Sequence, residues 1–228
     1  MIKKWTPMLL VLLLTSLACS LTPAPTPNSQ PSATSSGLGG TPGKVLYHDA
    51  FTNASSGWYV NSDTYGVIGY QNGGYEIHVQ KANSAIWGTP SQSFPENVRI
   101  EVDAIKQGGV DDNAFGVICR YQDNKNFYKL LITSDGYAGI SKSLAGETTV
   151  ISASDGDLQA VNGISPGSVT NHIHADCIGS ALTLYVNGAL VASAVDNSFT
   201  SGGVGLVART YNTPGTDIRF TNFTVYQP

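Results

Sequence analysis

FGVICRYQDNKNFYKLLITSDGY, residues 115–137, contains two extended runs joined by a polar turn. The runs cover 114–121 and 126–133, the turn is 122–125, and a second turn, Ser134-Asp135-Gly136, opens a third run. In the first run Phe115, Val117 and Cys119 alternate with Gly116, Ile118 and Arg120. Both sets are largely apolar, which predicts a strand buried on both faces. Asp135-Gly136 is a hairpin signal, because a tight turn needs positive φ and glycine adopts it at little cost.

The same vocabulary repeats through residues 44–228, a length sufficient for one sizeable core. Charged residues are few, Gly, Thr, Val, Ile and Tyr are frequent, and no amphipathic helix of ten or more residues can be traced. Strand-like runs fall at 45–51, 65–70, 74–79, 84–89, 97–106, 114–121, 126–133, 137–143, 148–152, 171–178, 181–186, 189–196, 203–210 and 217–226. Many short strands at regular spacing predict an all-β sandwich or barrel. Val98, Ile100, Val102 and Ala104 alternate with Arg99, Glu101 and Asp103, the pattern of a sheet with one wet face. Asn187-Gly188 between two alternating runs predicts a second hairpin. Ile218 and Phe220 are out of phase with Phe223 and Val225, so a bulge is expected near Thr221–Asn222. Residues 153–166, ASDGDLQAVNGISP, read as a loop able to hold a short helical turn, a candidate for binding or a plain connection between strands.

Before residue 44 the chain is of another kind. Lys3 and Lys4 precede an apolar run from Met8 to Leu14, then Thr15-Ser16-Leu17-Ala18-Cys19. This is the layout of an export signal, too short for a stable membrane-spanning helix. Residues 1–18 resemble a bacterial lipoprotein signal, which implies lipidation of Cys19 and residence at the outer face of the cell membrane. Ser16 departs from the Leu or Val usual at that position, and ordinary cleavage releasing a soluble protein is the alternative. Residues 19–43 are rich in Pro, Thr, Ser and Gly, without a charge, and are expected to be a disordered tether. About 24 extended residues would reach on the order of 75 Å.

Without residues 1–18 the chain keeps 10 basic and 16 acidic residues, a formal charge of −6, and no basic cluster. That composition argues against nucleic-acid binding, and the absence of a basic amphipathic helix leaves the lipid as the link to a membrane. Cys119 and Cys177 remain as an even pair in an oxidising compartment. Their bridge would close about 58 residues, contributing ~4 kcal/mol in the chain-entropy model. Two buried free thiols are the alternative.

Phe51 and Trp58, then GVICRYQDNKNFYKLLITSDGY, NHIHADCIGSALTLYVNG, FTSGGVGLVA and IRFTNFTVY, follow one another in an order that resembles domains of the concanavalin A-like lectin/glucanase superfamily. The similarity is to its laminin-G-like and 3-keto-disaccharide-hydrolase-like jelly rolls, over about residues 45–227. It implies a two-sheet antiparallel jelly-roll sandwich whose first and last strands lie close together, with one sheet curved into a shallow groove. The fold carries lectins, glycosidases and spacers alike. Glucanases of the superfamily use Glu-x-Asp-x-x-Glu on a strand. Here Glu101 and Asp103 match, but Lys106 replaces the third acid, which removes one of two carboxyl groups a retaining glycosidase needs unless a loop supplies another acid.

Carbohydrate recognition needs exposed aromatic faces fringed by polar groups. Tyr65, Tyr70, Trp87 and Tyr211, with Arg120 and Arg209 as donors, are the candidates, while Trp58 reads as core. His172, His174 and Asp176 share one strand face at i, i+2 and i+4, but same-face neighbours about 7 Å apart suit a solvated polar face better than a metal ion. No motif requires a cofactor. The oxygen-rich turns Asp111-Asp112-Asn113 and Asp123-Asn124 with Asn126 are the candidate ligands for a structural calcium ion, without EF-hand spacing. The reading is an exported, lipid-anchored, monomeric module, non-catalytic, that binds carbohydrate or another envelope polymer. A glycoside hydrolase and a protein-binding adhesion domain are the alternatives.

Overall fold

The structure is a computed structural model and describes residues 43–228. The expectations for the signal, Cys19 and the tether up to residue 42 lie outside the described residues. Period-two alternation gives sixteen strands and no helix among the described residues. They are β1 (Val45–Asp49), β2 (Asn61–Ser62), β3 (Gly66–Gln71), β4 (Gly74–Val79), β5 (Ala85–Gly88), β6 (Val98–Gly108), β7 (Asn113–Asp123), β8 (Asn126–Ile132), β9 (Tyr137–Leu144), β10 (Glu147–Val150), β11 (Gln159–Ala160), β12 (Asn171–Ile178), β13 (Ala181–Val186), β14 (Ala189–Val195), β15 (Gly203–Thr210) and β16 (Thr216–Tyr226).

These strands form the two-sheet antiparallel sandwich expected. A nine-stranded sheet runs β14-β13-β12-β6-β16-β4-β3-β2, with β1 also on β16, and a seven-stranded sheet runs β10-β9-β8-β7-β15-β5, with β11 also on β9. β16 serves two partners on one side because it is bulged. Thr216–Phe220 pairs with β4, Phe223–Tyr226 pairs with β1, and the register slips between Thr221 and Thr224. Asn222, at φ +56°, absorbs the kink, and both Phe220 and Phe223 then reach the core. The first and last strands therefore pair, Val45 opposite Tyr226.

The core lies between the sheets. Ile100, Val102, Ile173 and Leu184 of the larger sheet meet Phe115, Val117, Leu130 and Ile140 of the smaller. Each such side chain contributes about 1.5–3 kcal/mol on burial. At one end Phe51, Trp58, Tyr75 and Phe223 pack edge to face or stacked at 4.8–5.3 Å. Trp58 is core, as expected, and its Nε1 donates to the Tyr47 hydroxyl at 3.0 Å.

β7 is buried on both faces, as its double alternation predicts. Phe115, Val117 and Cys119 point into the core, while Ala114 and Ile118 belong to a second cluster on the other side of the sheet. Asn187 and Gly188 take the two positive φ values of a tight turn, +50° and +84°. At 134–136 only Gly136 does so, with the Thr133 hydroxyl accepting from Tyr137 N–H.

Two short strands, β2 and β11, were not legible in the sequence. β11 replaces the helical turn expected in 153–166. Val161 N–H donates to Gly136 O at 3.0 Å and Gly167 N–H to Ser134 O at 2.8 Å, so this segment is laid along the β8–β9 hairpin instead of coiling on itself.

The bridge between Cys119 of β7 and Cys177 of β12 is present and joins the two sheets across a sequence separation of 58. Reduction, or Cys119→Ser with Cys177→Ser, should cost ~4 kcal/mol in the chain-entropy model. For a domain of this size that lowers Tm by roughly 8–16 °C in a calorimetric scan. An unchanged Tm would show that the sheets are held without the bridge.

Candidate functional site

The outer face of the seven-stranded sheet carries an apolar floor. Ala114 and Ile118 of β7, Phe127 and Leu131 of β8 and Val207 of β15 are buried there, covered by partly exposed Ala85, Trp87, Tyr121 and Tyr211. A buried layer on the outside of a sandwich needs something over it, and here the aromatic rings do part of that work. Two open hollows flank it, both within the size range of ligand clefts.

The first hollow, about 570 Å³, lies between β5 and the β2–β3 hairpin. Trp87 and Tyr121 form one wall, each about 5 Å from the Phe127 ring. Tyr59 and Tyr65 form the opposite wall, with rings largely in solvent, and Lys81 Nζ sits 4.3 Å from the Tyr65 ring centre. Asn61, Thr89 and Asn124 supply amides and a hydroxyl. Asp63 also lines it, but its carboxylate accepts from Asn61 Nδ2 and from the Tyr65 N–H, which holds the turn.

The second hollow, about 770 Å³, lies over β8, β9 and β10 and the end of β15. Arg209 stacks on Tyr211, guanidinium to ring centre 4.7 Å, with Asp112, Asp135 and Asp157 around them. Burial pushes the Tyr211 hydroxyl up, and Arg209 opposes that shift. Gly156, Asp157 and Leu158 from the 153–166 segment form part of the rim. The hollows are adjacent at one point: Ala85, which lines the first, is the in-register partner of Arg209, which lines the second. Beside them Lys129 is 8% exposed, donates to Thr148 Oγ1 at 3.1 Å and lies 5.5 Å from the Phe127 ring centre.

Of the six candidate binding residues, the structure brings Tyr65 and Trp87 into the first hollow and Arg209 and Tyr211 into the second. Tyr70 and Arg120 belong elsewhere. The Tyr70 hydroxyl accepts from Trp58 N–H at 2.9 Å, and its ring packs on Phe51 and Tyr75 in the aromatic end of the core. Arg120, 2% exposed and at φ +53° where β7 bulges, reaches back under the sheet. Its Nη1 donates to Phe199 O at 2.8 Å and its Nη2 to Gly179 O, so it fastens two loops and faces no hollow.

Glu101 and Asp103 lie on the opposite surface, the outer face of the nine-stranded sheet, against His172. Lys106 pairs with Asp111 and donates to Gly109 O. In contrast to the expectation of a solvated face, Asp176 is buried and His174 half-buried, while His172 is exposed. Asp176 is held by Arg99 at 2.7 and 2.9 Å and by His174 at 3.1 Å, and His174 stacks on Tyr185. Among the described residues no group of three His, Cys, Asp or Glu is placed to hold a metal ion. In the candidate calcium turns, Asn113 is buried against Ser134, and Asp123 accepts from Lys125 N–H and Asn126 Nδ2. Those hydrogen bonds hold the Asp123 carboxyl below its usual range.

No protein-family model and no curated protein matches the chain. Solved structures do. The chain is similar to the carbohydrate-binding module CBM66 from Bacillus subtilis, at 19% identity and TM-score 0.55, over 75% of this chain and 96% of that one. It is similar to a protein of unknown function with a galectin-like fold from Bacillus subtilis, at 11% identity and TM-score 0.60, over 82% and 97%. It also matches the GH43 protein BlXynB from Bacillus licheniformis, at 12% identity and TM-score 0.58, over 78% of this chain but 39% of that one. At these identities the likeness establishes the fold: a galectin-like β-sandwich of the kind found in carbohydrate-binding modules and GH43 proteins.

Sequence reasoning missed Tyr59, Asn61, Tyr121 and Asn124 in the first hollow and Lys129 near the second. Lys129 left a signal: it stands between Phe127 and Leu131 on one face of β8, a cation in an apolar row. Burial, with Arg209 adding, pushes its ammonium down to about 8. From there to its ordinary value of 10.5 the folded chain binds fewer protons than the unfolded one, so the stability lost at neutral pH returns as pH rises through that window. Lys129→Met should therefore be more stable than the parent at pH 7 by up to ~3 kcal/mol. The gain should shrink steadily above pH 8 in denaturant titrations of both proteins. A pH-independent difference would refute this account.

Proposed function

We propose that residues 44–228 form a non-catalytic carbohydrate-binding module, held at the outer face of a cell membrane by a lipid on Cys19 and the tether of residues 19–43. The observation that carries the reading is the first hollow. Aromatic rings wall it, amides fringe it, and its one carboxylate is engaged in its own turn. Sugar rings offer apolar faces to aromatic side chains and hydroxyls to amides, which is what this surface accepts. The fold shared with carbohydrate-binding modules supports the same reading.

A second reading, an enzyme acting on glycosides, is favoured by one feature: Asp112, Asp135 and Asp157 around the second hollow. Glycosidases use a carboxyl pair, one member kept protonated. Burial does push one carboxyl up, that of Asp217, but Asp217 lines neither hollow.

The oxidised domain should be screened against soluble and insoluble polysaccharides, with calcium and with chelator, while released sugar is measured. The expected result is saturable binding without product release. Trp87→Ala and Tyr65→Ala should weaken binding about tenfold or more, equivalent to ~1.4 kcal/mol. Product release abolished by Asp135→Asn or Asp157→Asn would establish the enzyme instead. Loss of binding on chelation would assign a calcium ion to the 111–113 or 123–126 turns.

A further inference from the structure

We propose that the two hollows are subsites of a single track that takes an internal stretch of a linear, uncharged polysaccharide at least four sugar units long. The inference rests on the carbohydrate-binding reading and goes further, to the length and charge of the ligand.

Continuity is the first argument. The hollows are neighbours on one sheet, because Ala85 lines the first and its register partner Arg209 lines the second. A chain leaving the Tyr65–Trp87 cleft crosses that pair and meets Tyr211, Leu131 and Thr148 without leaving the sheet face. The floor under it is apolar, with Ala114 near the start of β7 and Ile118 at its middle.

Size is the second. Six strands, β10-β9-β8-β7-β15-β5, lie side by side in this sheet. At about 4.8 Å per strand the face is roughly 24 Å across. A sugar unit in an extended chain is comparable in length to that strand spacing, so a chain crossing the face covers about four or five units. A single sugar would occupy one hollow and leave the other open.

Charge is the third. The first hollow presents amides, hydroxyls and one engaged carboxylate. The second sets Asp112, Asp135 and Asp157 against Arg209, with Lys129 close by. A polyanion would meet the aspartates and a polycation would meet Arg209. Neutral hydroxyls, which donate and accept, satisfy both.

The test uses oligosaccharide ladders of one to eight units from neutral glucan, xylan, mannan and fructan series, titrated calorimetrically into the oxidised domain. The bound series should gain at least tenfold in affinity between two and five units, then level off, at one chain per domain. Tyr59→Ala, on the outer wall of the first hollow, and Tyr211→Ala, in the second, should each lower affinity for the five-unit chain at least fivefold. Both rings stand at the surface or its edge, and an unchanged circular dichroism spectrum checks each fold. Full affinity for one or two units, two short ligands bound independently, or a Tyr211→Ala variant that binds the long chain as the parent does would overturn the track and leave the carbohydrate-binding reading standing. Tighter binding of a uronate or amino-sugar polymer would overturn the neutral-ligand claim. No binding to any polysaccharide would overturn the underlying reading itself.

Discussion

β7 has no side that it can give to water. Its inner residues, Phe115, Val117 and Cys119, are locked between the sheets, and Cys119 is covalently tied to β12. Its outer residues, Ala114 and Ile118, are equally buried. Two demands follow. The inner face must match the larger sheet, and the outer face must be covered by something other than a third sheet. Trp87 from β5, Tyr121 from the end of β7 itself and Tyr211 from just past β15 meet the second demand by leaning over the floor. The walls of both hollows are a product of that covering, so the same constraint that stabilises the strand shapes the surface beside it.

The two outer faces of the sandwich solve their polarity differently. On the nine-stranded sheet, side chains find partners along the surface: Arg99 with Asp176, His174 with Asp176 and Tyr185, His172 and Asn222 with Asp103. Groups satisfied laterally have little left to offer a ligand. On the seven-stranded sheet, Arg209 rests on an aromatic ring, and Lys129 gives one of its three protons to a hydroxyl. Donors there remain available, at some cost in stability.

Much of the strand order was readable from residues 115–137 and its counterparts, because period-two alternation and glycine turns act locally. The bulge at Asn222 and the Asn187-Gly188 turn were readable for that reason, whereas the cysteine pair was readable from the even count left once Cys19 is set aside. The site was readable only in part. Trp87 and Tyr70 look alike in sequence, each an aromatic residue in an alternating strand. Whether the ring faces the core or a cleft depends on which sheet the strand joins and on which side. Arg120 misleads for a related reason: a bulge turns it under the sheet, and no local pattern announces a bulge at that step. The loop at 153–166 was recognisable as a loop, but its course along the β8–β9 hairpin depends on backbone hydrogen bonds to residues 25 and 33 positions earlier.

The pairing of β1 with β16 has a mechanical meaning. Chain entering at Lys44 and chain leaving at Gln227 meet in a backbone hydrogen bond of 2.9 Å, at the same end of one antiparallel ladder. A pull on Lys44 directed across the ladder loads it from its open end. Its bonds give way one after another, like a zip, instead of sharing the load in shear. β1 has no other neighbour in its sheet. It is the piece that yields first under such a load, while the core behind it, cross-linked through Cys119 and Cys177, keeps its shape.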